Sequence, residues 1–187
     1  MKQVLIIDCQ ILQSSDKRRG MGYYLTSLLS KLKDQSTYGI KLILSDQLPE
    51  IDNETESLLN SIGEIVKLSL KAKSSSDKLY LDAYHYNQRV ISDYIDREED
   101  IDKLPIFYIP ALFSHEIYPI FPSSGLSKNL VLCHDIIPYL YPDVYFSDRS
   151  SDNCTDYLQR YKSFYQADLY LTNSNTTAQD LAQHIGV

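Results

Sequence analysis

Two short stretches carry the residues best suited to chemistry. The first is His134-Asp135, which ends the apolar run Leu130-Val131-Leu132-Cys133 and opens the proline-bracketed stretch Ile136 to Pro142. An imidazole polarised by a neighbouring carboxylate can hydrogen-bond a polar ligand or exchange a proton with it. The second is Arg19-Gly20-Met21-Gly22, placed where a helix begins. Glycines there let backbone approach a ligand closely, and the unpaired N–H groups and positive dipole end of a helix favour an anion such as a phosphate. Each stretch also has a plainer reading. His134 could be a satisfied strand-end histidine with Asp135 capping the next turn, and Arg19 to Gly22 could be a tight turn beside a solvated patch of Lys17, Arg18 and Arg19.

Other reactive residues form no constellation. Cys133, His134 and Asp135 are adjacent, and neighbours on an extended chain project differently, so they make no nucleophile-base-orienter triad. Cys133 belongs to the core on this reading. His85, His115 and His184 lie on separate elements, and Cys9, Cys133 and Cys154 lack the paired spacing of a zinc site or a disulfide framework. No metal and no cofactor are expected.

The elements that must position these residues follow from hydrophobic patterning. Gln3 to Cys9 is a β-rich apolar run, followed by a polar loop through Ser14 to Gly20. From Met21 a helical face recurs at Met21, Leu25, Leu28, Leu29 and Leu32. A turn at Tyr38-Gly39 leads to a strand at Lys41 to Leu44, a helix at Asn53 to Ile62 ended by Gly63, and a strand at Glu64 to Leu70. A polar connection, Lys71 to Asp77, precedes a long helix with Leu81, Tyr84, Gln88, Ile91 and Ile95 on one face, which closes in the acidic run Arg97 to Asp100. Pro105 to Ile109 is a strand, and Leu112 to Pro122 an aromatic, proline-rich loop. The His-Asp strand is next. Ser151 or Asp152 can cap a helix with Tyr157, Leu158, Tyr161, Phe164 and Tyr165 inward. Asp168 to Thr172 is the last strand, and Ser174 caps a final helix carrying Ala178, Leu181, Ala182 and Ile185.

Strands alternating with helices predict an α/β chain, a Rossmann-like three-layer sandwich around a mostly parallel sheet. In such sheets the loops after the strands open on one edge, where ligands bind, so Arg19 to Gly22 should meet His134-Asp135.

With 187 residues and 43% hydrophobic content, the chain suffices for one well-buried domain. A net charge of -7 argues against a nucleic-acid partner, which would need a concentrated basic face. Scattered cysteines point to a reducing cytoplasm. No apolar run approaches the roughly 18 to 20 residues of a membrane span. Peripheral contact with the inner face of the membrane is left open.

Three motifs in order, Arg19-Gly20-Met21-Gly22-Tyr23-Tyr24, then His134-Asp135-Ile136-Ile137-Pro138-Tyr139-Leu140-Tyr141-Pro142, then Ala167-Asp168-Leu169-Tyr170-Leu171-Thr172-Asn173-Ser174, resemble the N-terminal half of family 4 glycosyltransferases. The resemblance covers about the first 45 residues and the chain from Asn129 on; the middle matches nothing visible. It implies a GT-B architecture, two Rossmann-like domains facing a cleft, and sugar transfer with retention and without a metal. Residues 1–187 would be the acceptor-side domain, partnered by a C-terminal domain that holds most of the nucleotide-sugar site. The substrates implied are a nucleotide-sugar donor and a carbohydrate or lipid-linked acceptor. By the same resemblance His134 reaches the transferred sugar and Asp135 positions it, while Arg19, Gly20, Met21, Gly22, Tyr23 and Tyr139 border donor or acceptor. Relatives often carry Arg-Tyr after the second glycine where this chain has Tyr23-Tyr24, so an arginine contact is not carried over. The competing class is a non-catalytic α/β interaction or regulatory domain, in which His134 and Gly20 are structural.

Overall fold

The computed structural model describes residues 3–33, 37–73, 80–98, 104–114, 116–146 and 152–186. Residues 74–77 of the polar connection, Glu99, Asp100, His115 and Ser151 lie outside that set. Six strands form one sheet: β1 (Gln3–Asp8), β2 (Tyr38–Ser45), β3 (Glu64–Leu68), β4 (Ile106–Ile109), β5 (Lys128–Cys133) and β6 (Leu169–Thr172). Their order is β3-β2-β1-β4-β5-β6, and every pairing is parallel. The chain winds outward from β1 in one direction and then from β4 in the other, so the order reverses between β1 and β4. That switch is where the loops of a doubly wound sheet part and leave a crevice.

Alternation along each strand divides the apolar residues between two faces. Val4 and Ile6 of β1, Phe107 and Ile109 of β4, and Val131 and Cys133 of β5 face one layer. It is built from α3 (Tyr80–Arg97), α6 (Asp152–Lys162) and α7 (Asn175–Ile185). Ile7 and Cys9, Leu42 and Leu44, Tyr108 and Leu132 face the other layer, built from α1 (Gly20–Leu32) and α2 (Asn53–Asn60). Two short helices, α4 (Ile137–Leu140) and α5 (Pro142–Tyr145), follow β5. Leu25 and Leu29 of α1 are fully buried, as the sequence periodicity requires. Asp52 caps α2 by accepting from Thr55 N–H at 2.8 Å, and Ser174 caps α7 by accepting from Thr177 N–H at 3.1 Å.

Several local readings are corrected. The segment before α1 is not an open loop but two 3-10 turns, Gln10–Gln13 and Ser15–Arg18, folded tightly on the strand ends. Tyr38 and Gly39 are no turn; both belong to β2, because Gln3 and Val4 pair with them. Leu81 is exposed on α3. Leu158 is exposed on α6 as well, and Tyr165 is exposed because α6 stops at Lys162 and tightens into a 3-10 turn, Ser163–Gln166, that shifts the inward face. Ala178 and Ala182 of α7 are exposed too. Pro138 and Pro142 sit in the first turns of α4 and α5, where the missing N–H costs nothing.

Gly22 is buried inside α1, and a Cβ placed there would sit 2.3 Å from the Lys17 carbonyl oxygen. Packing of the helix on the Ser15–Arg18 turn is enough to require a glycine here. At Gly20 a Cβ would meet nothing within 4 Å. Urea unfolding should therefore show Gly22→Val less stable by about 1 to 3 kcal/mol or more, the cost of overpacking, with Gly20→Ala within about 0.5 kcal/mol of the parent. Equal stability of the two variants would refute the packing role.

Candidate functional site

At the switch between β1 and β4 lies a cleft of about 760 Å³, and Arg19 and Met21 line it together with His134 and Asp135. The loops after β1 and β5 therefore do open on one edge and bring these four residues together. The remaining wall was not legible as a site: Leu112 and Phe113 from the segment after β4, Tyr145 and Phe146 from the end of α5, Asn153 and Tyr157 from α6, and Lys73. One signal was available. An aromatic loop following a central strand must open on the same edge as its neighbours.

Loop-to-loop bonds fix that wall. Ser114 donates its hydroxyl to Asp16 Oδ2 at 2.7 Å, and Ser15 N–H donates to Glu116 at 2.7 Å, with the Ser15 hydroxyl on the same carboxylate. Asp16 also holds Arg19 in an ion pair at 3.0 Å. Behind the loop, the buried Arg160 guanidinium donates to the carbonyls of Leu112 and Ile117, at 3.3 and 2.9 Å, and to Asp156 at 3.0 Å. Asp156 also accepts from Lys73 at 2.8 Å. The wall is tied to α6 and to the segment after β3 alike.

His134 is half-buried. Tyr24 meets its ring edge-on, centroids 5.6 Å apart, and Thr177 donates to its backbone carbonyl at 3.2 Å. Burial lowers its pKa below the ordinary imidazole value, opposed by the Asp135 charge and by a hydrogen bond to the Pro110 backbone. Nε2 is buried without a protein partner. The Pro110 bond thus falls to Nδ1, and in the neutral ring that leaves Nε2 as an acceptor.

Asp135 does not position this ring by a direct bond. Its Oδ1 accepts from Ile137 N–H at 3.1 Å, capping the turn into α4, and its effect on His134 is through charge. Tyr139 is not at the cleft either. It stacks on Tyr161 with centroids 4.1 Å apart and meets His184 edge-on at 5.7 Å, because α4 turns its ring toward α6 and α7. Tyr23 is exposed on α1 and does not line the cleft. Gly20 is exposed at the helix start, where the first intrahelical bond, Tyr23 N–H to the Arg19 carbonyl, leaves the preceding N–H groups without an intrahelical partner. Cys133 is buried, with its thiol pushed up to about 12 by burial, which makes it inert core.

Near the same edge, Asp8 is buried at the end of β1 and accepts at Oδ1 from Gln10 N–H and Gln10 Nε2, both at 3.1 Å. Desolvation outweighs those bonds and raises its pKa to about 6. Among the described residues no group of three or more His, Cys, Asp or Glu could hold a metal ion, and no helix is long and apolar enough to cross a membrane.

Two titrations check this electrostatic picture. Between about pH 3.8 and pH 6 folded Asp8 keeps a proton that the unfolded chain releases. The stability it contributes is thus full below pH 3.8 and lost as pH rises through 6, on the order of 3 kcal/mol in all. Asp8→Asn should remove that loss and be the more stable protein at pH 7 in urea unfolding; a less stable variant would show that the carboxylate is favoured. For His134, an NMR titration should give a midpoint below the ordinary value, and Asp135→Asn should lower it further by removing a charge that raises it. An upward shift would contradict the assigned cause.

No protein-family model matches the sequence, and no curated protein matches it. Among solved structures, the chain is similar to a UDP-glucosyltransferase from Polygonum tinctorium, capable of glucosylating indoxyl, in complex with 3,4-dichloroaniline. The TM-score is 0.55 and the identity 11%, over 98% of this chain and 49% of that one. This likeness concerns the fold: the chain has the Rossmann-like fold of half a GT-B protein and spans about half the length of that neighbour. An O-ureido-L-serine synthase aligns at a TM-score of 0.25 with 14% identity, too distant to bear on the fold.

Proposed function

We propose that this chain is the acceptor-side domain of a GT-B glycosyltransferase of the family 4 type, whose nucleotide-sugar site lies mostly in a second domain of similar size. The observation that carries this reading is the cleft itself, in which Arg19 and Met21 from the start of α1 share one wall with His134 and Asp135 at the end of β5. The solved neighbour named above is a sugar transferase of twice the aligned length, which supports the same division.

In this reading the N–H groups without intrahelical partners at the start of α1 face the donor phosphates, favoured by the helix dipole. His134 Nε2 accepts a hydrogen bond from a hydroxyl of the reacting sugar. Stabilisation of the departing diphosphate is the main electrostatic task, and it falls to the second domain. The reaction proposed is transfer with retention and without a metal. A neutral imidazole with an acceptor nitrogen at the cleft also favours a second reading, in which His134 takes the proton of the acceptor hydroxyl and the anomeric configuration inverts. The configuration of the product separates the two.

Residues 1–187 alone should turn over no sugar nucleotide, whereas a protein joining them to the donor-side domain should. Clear turnover by the 187-residue chain over a panel of sugar nucleotides would remove the division of labour. In the joined protein His134→Ala should lower kcat about 10- to 150-fold, the equivalent of roughly 1.5 to 3 kcal/mol of lost hydrogen bonding in the transition state. A large drop in Tm with normal activity of the folded fraction would instead make His134 structural.

A further inference from the structure

Resting on the sugar-transfer reading, we propose that the acceptor taken by this cleft has an apolar body and presents one hydroxyl to His134, in place of a free sugar. The wall is chiefly carbon: Leu112, Phe113, Ile137, Pro138, Phe146 and Tyr157. It is also packed in advance. Phe113 stacks on Tyr157 with centroids 4.8 Å apart and planes 16° from parallel, and meets Phe164 edge-on at 5.6 Å. Phe146 tilts against Tyr157 at 5.5 Å. Such a surface loses little side-chain entropy when an apolar ligand covers it.

The polar groups of the cleft are either exposed to water, as Arg19, Asp135, Tyr145 and Asn153 are, or partly committed. Arg19 is paired with Asp16 and Lys73 with Asp156, while Oδ1 of Asp135 takes the Ile137 N–H. A hexose carries several hydroxyls, and each one stripped of water without a partner weakens binding. His134 Nε2, buried and without a protein partner, can satisfy one hydroxyl. The lining therefore suits a molecule that needs only that one bond and gains the rest of its affinity from apolar burial.

A flat aromatic alcohol and a chain-like aliphatic alcohol share this chemistry, and a binding experiment on the 187-residue chain without any sugar nucleotide distinguishes them. NMR titrations with 1-naphthol, 1-octanol and methyl α-glucoside should show saturable binding of at least one apolar alcohol, with shifts at the His134 ring, and no saturation by the glucoside. Preference for naphthol marks a ring-shaped acceptor, and preference for octanol a chain. Phe113→Ala should weaken the apolar probe about tenfold, from the aromatic area removed. Tyr145→Ala, at an exposed side chain on the cleft whose loss does not threaten the fold, should weaken it about threefold. Tighter binding of the glucoside, no saturation by either alcohol, or unchanged affinity in the folded variants would overturn the proposal. Because no donor is present, failure here leaves the transfer reading to its own turnover test, and naphthol binding by the 187 residues together with no sugar transfer by the protein that joins them to the donor-side domain removes the transfer reading alone.

Discussion

A buried guanidinium holds the site together. Arg160 is 1% exposed, on the inner side of α6, and its donors reach the carbonyls of Leu112 and Ile117 as well as Asp156. A charge withdrawn from water is tolerated only when hydrogen bonds and an opposite charge surround it, and here two backbone carbonyls supply the first and Asp156 the second. Neither Leu112 nor Ile117 lies in a helix or strand that could absorb its carbonyl, so the guanidinium takes the place of a secondary-structure ladder. Asp156 extends the tie to Lys73. Three segments far apart in the chain thus meet on one ion pair, and the aromatic wall stands where they meet.

The sheet was largely readable in the sequence, because its strands are short unbroken apolar runs and a parallel sheet covered on both faces demands them. The meeting of Arg19 and Met21 with His134 and Asp135 followed from topology alone: parallel strands open their following loops on one edge. What escaped was everything set by packing between distant segments. That Lys17 folds against Gly22 is written in no local pattern. Tyr139 stands beside the His-Asp pair in sequence, yet one turn of α4 directs it onto Tyr161. Phe113 and Tyr157 are 44 positions apart by number, and no local pattern says that they stack. Periodicity locates faces, but it does not say which faces meet.

Electrostatics at the strand ends follow a common rule. Asp8, His134 and Cys133 all sit where the sheet gives way to loops, and burial moves each toward its neutral form. The buried strand-end groups themselves therefore add little fixed charge, and hydrogen bonds to them count for more than they would in water. A neutral acceptor nitrogen on His134 is consistent with that setting.

The sheet order also governs how the chain can be made. β1 pairs with β2 on one side and with β4 on the other, and Leu5 stands opposite Ile106. The β1 to β3 half can assemble as soon as it has left the ribosome, but the far edge of β1 must wait about 100 residues for its partner. At roughly 5 to 20 residues per second that wait is about 5 to 20 s, with a strand edge as apolar as Val4 to Ile7 unpaired throughout. Protease sensitivity of arrested nascent chains would reveal the interval, ending when Ile106 to Ile109 emerges. The switch between β1 and β4 that creates the cleft is thus also the seam that waits longest to close, and the interval between the emergence of β1 and that of β4 is when this protein most needs protection from its neighbours.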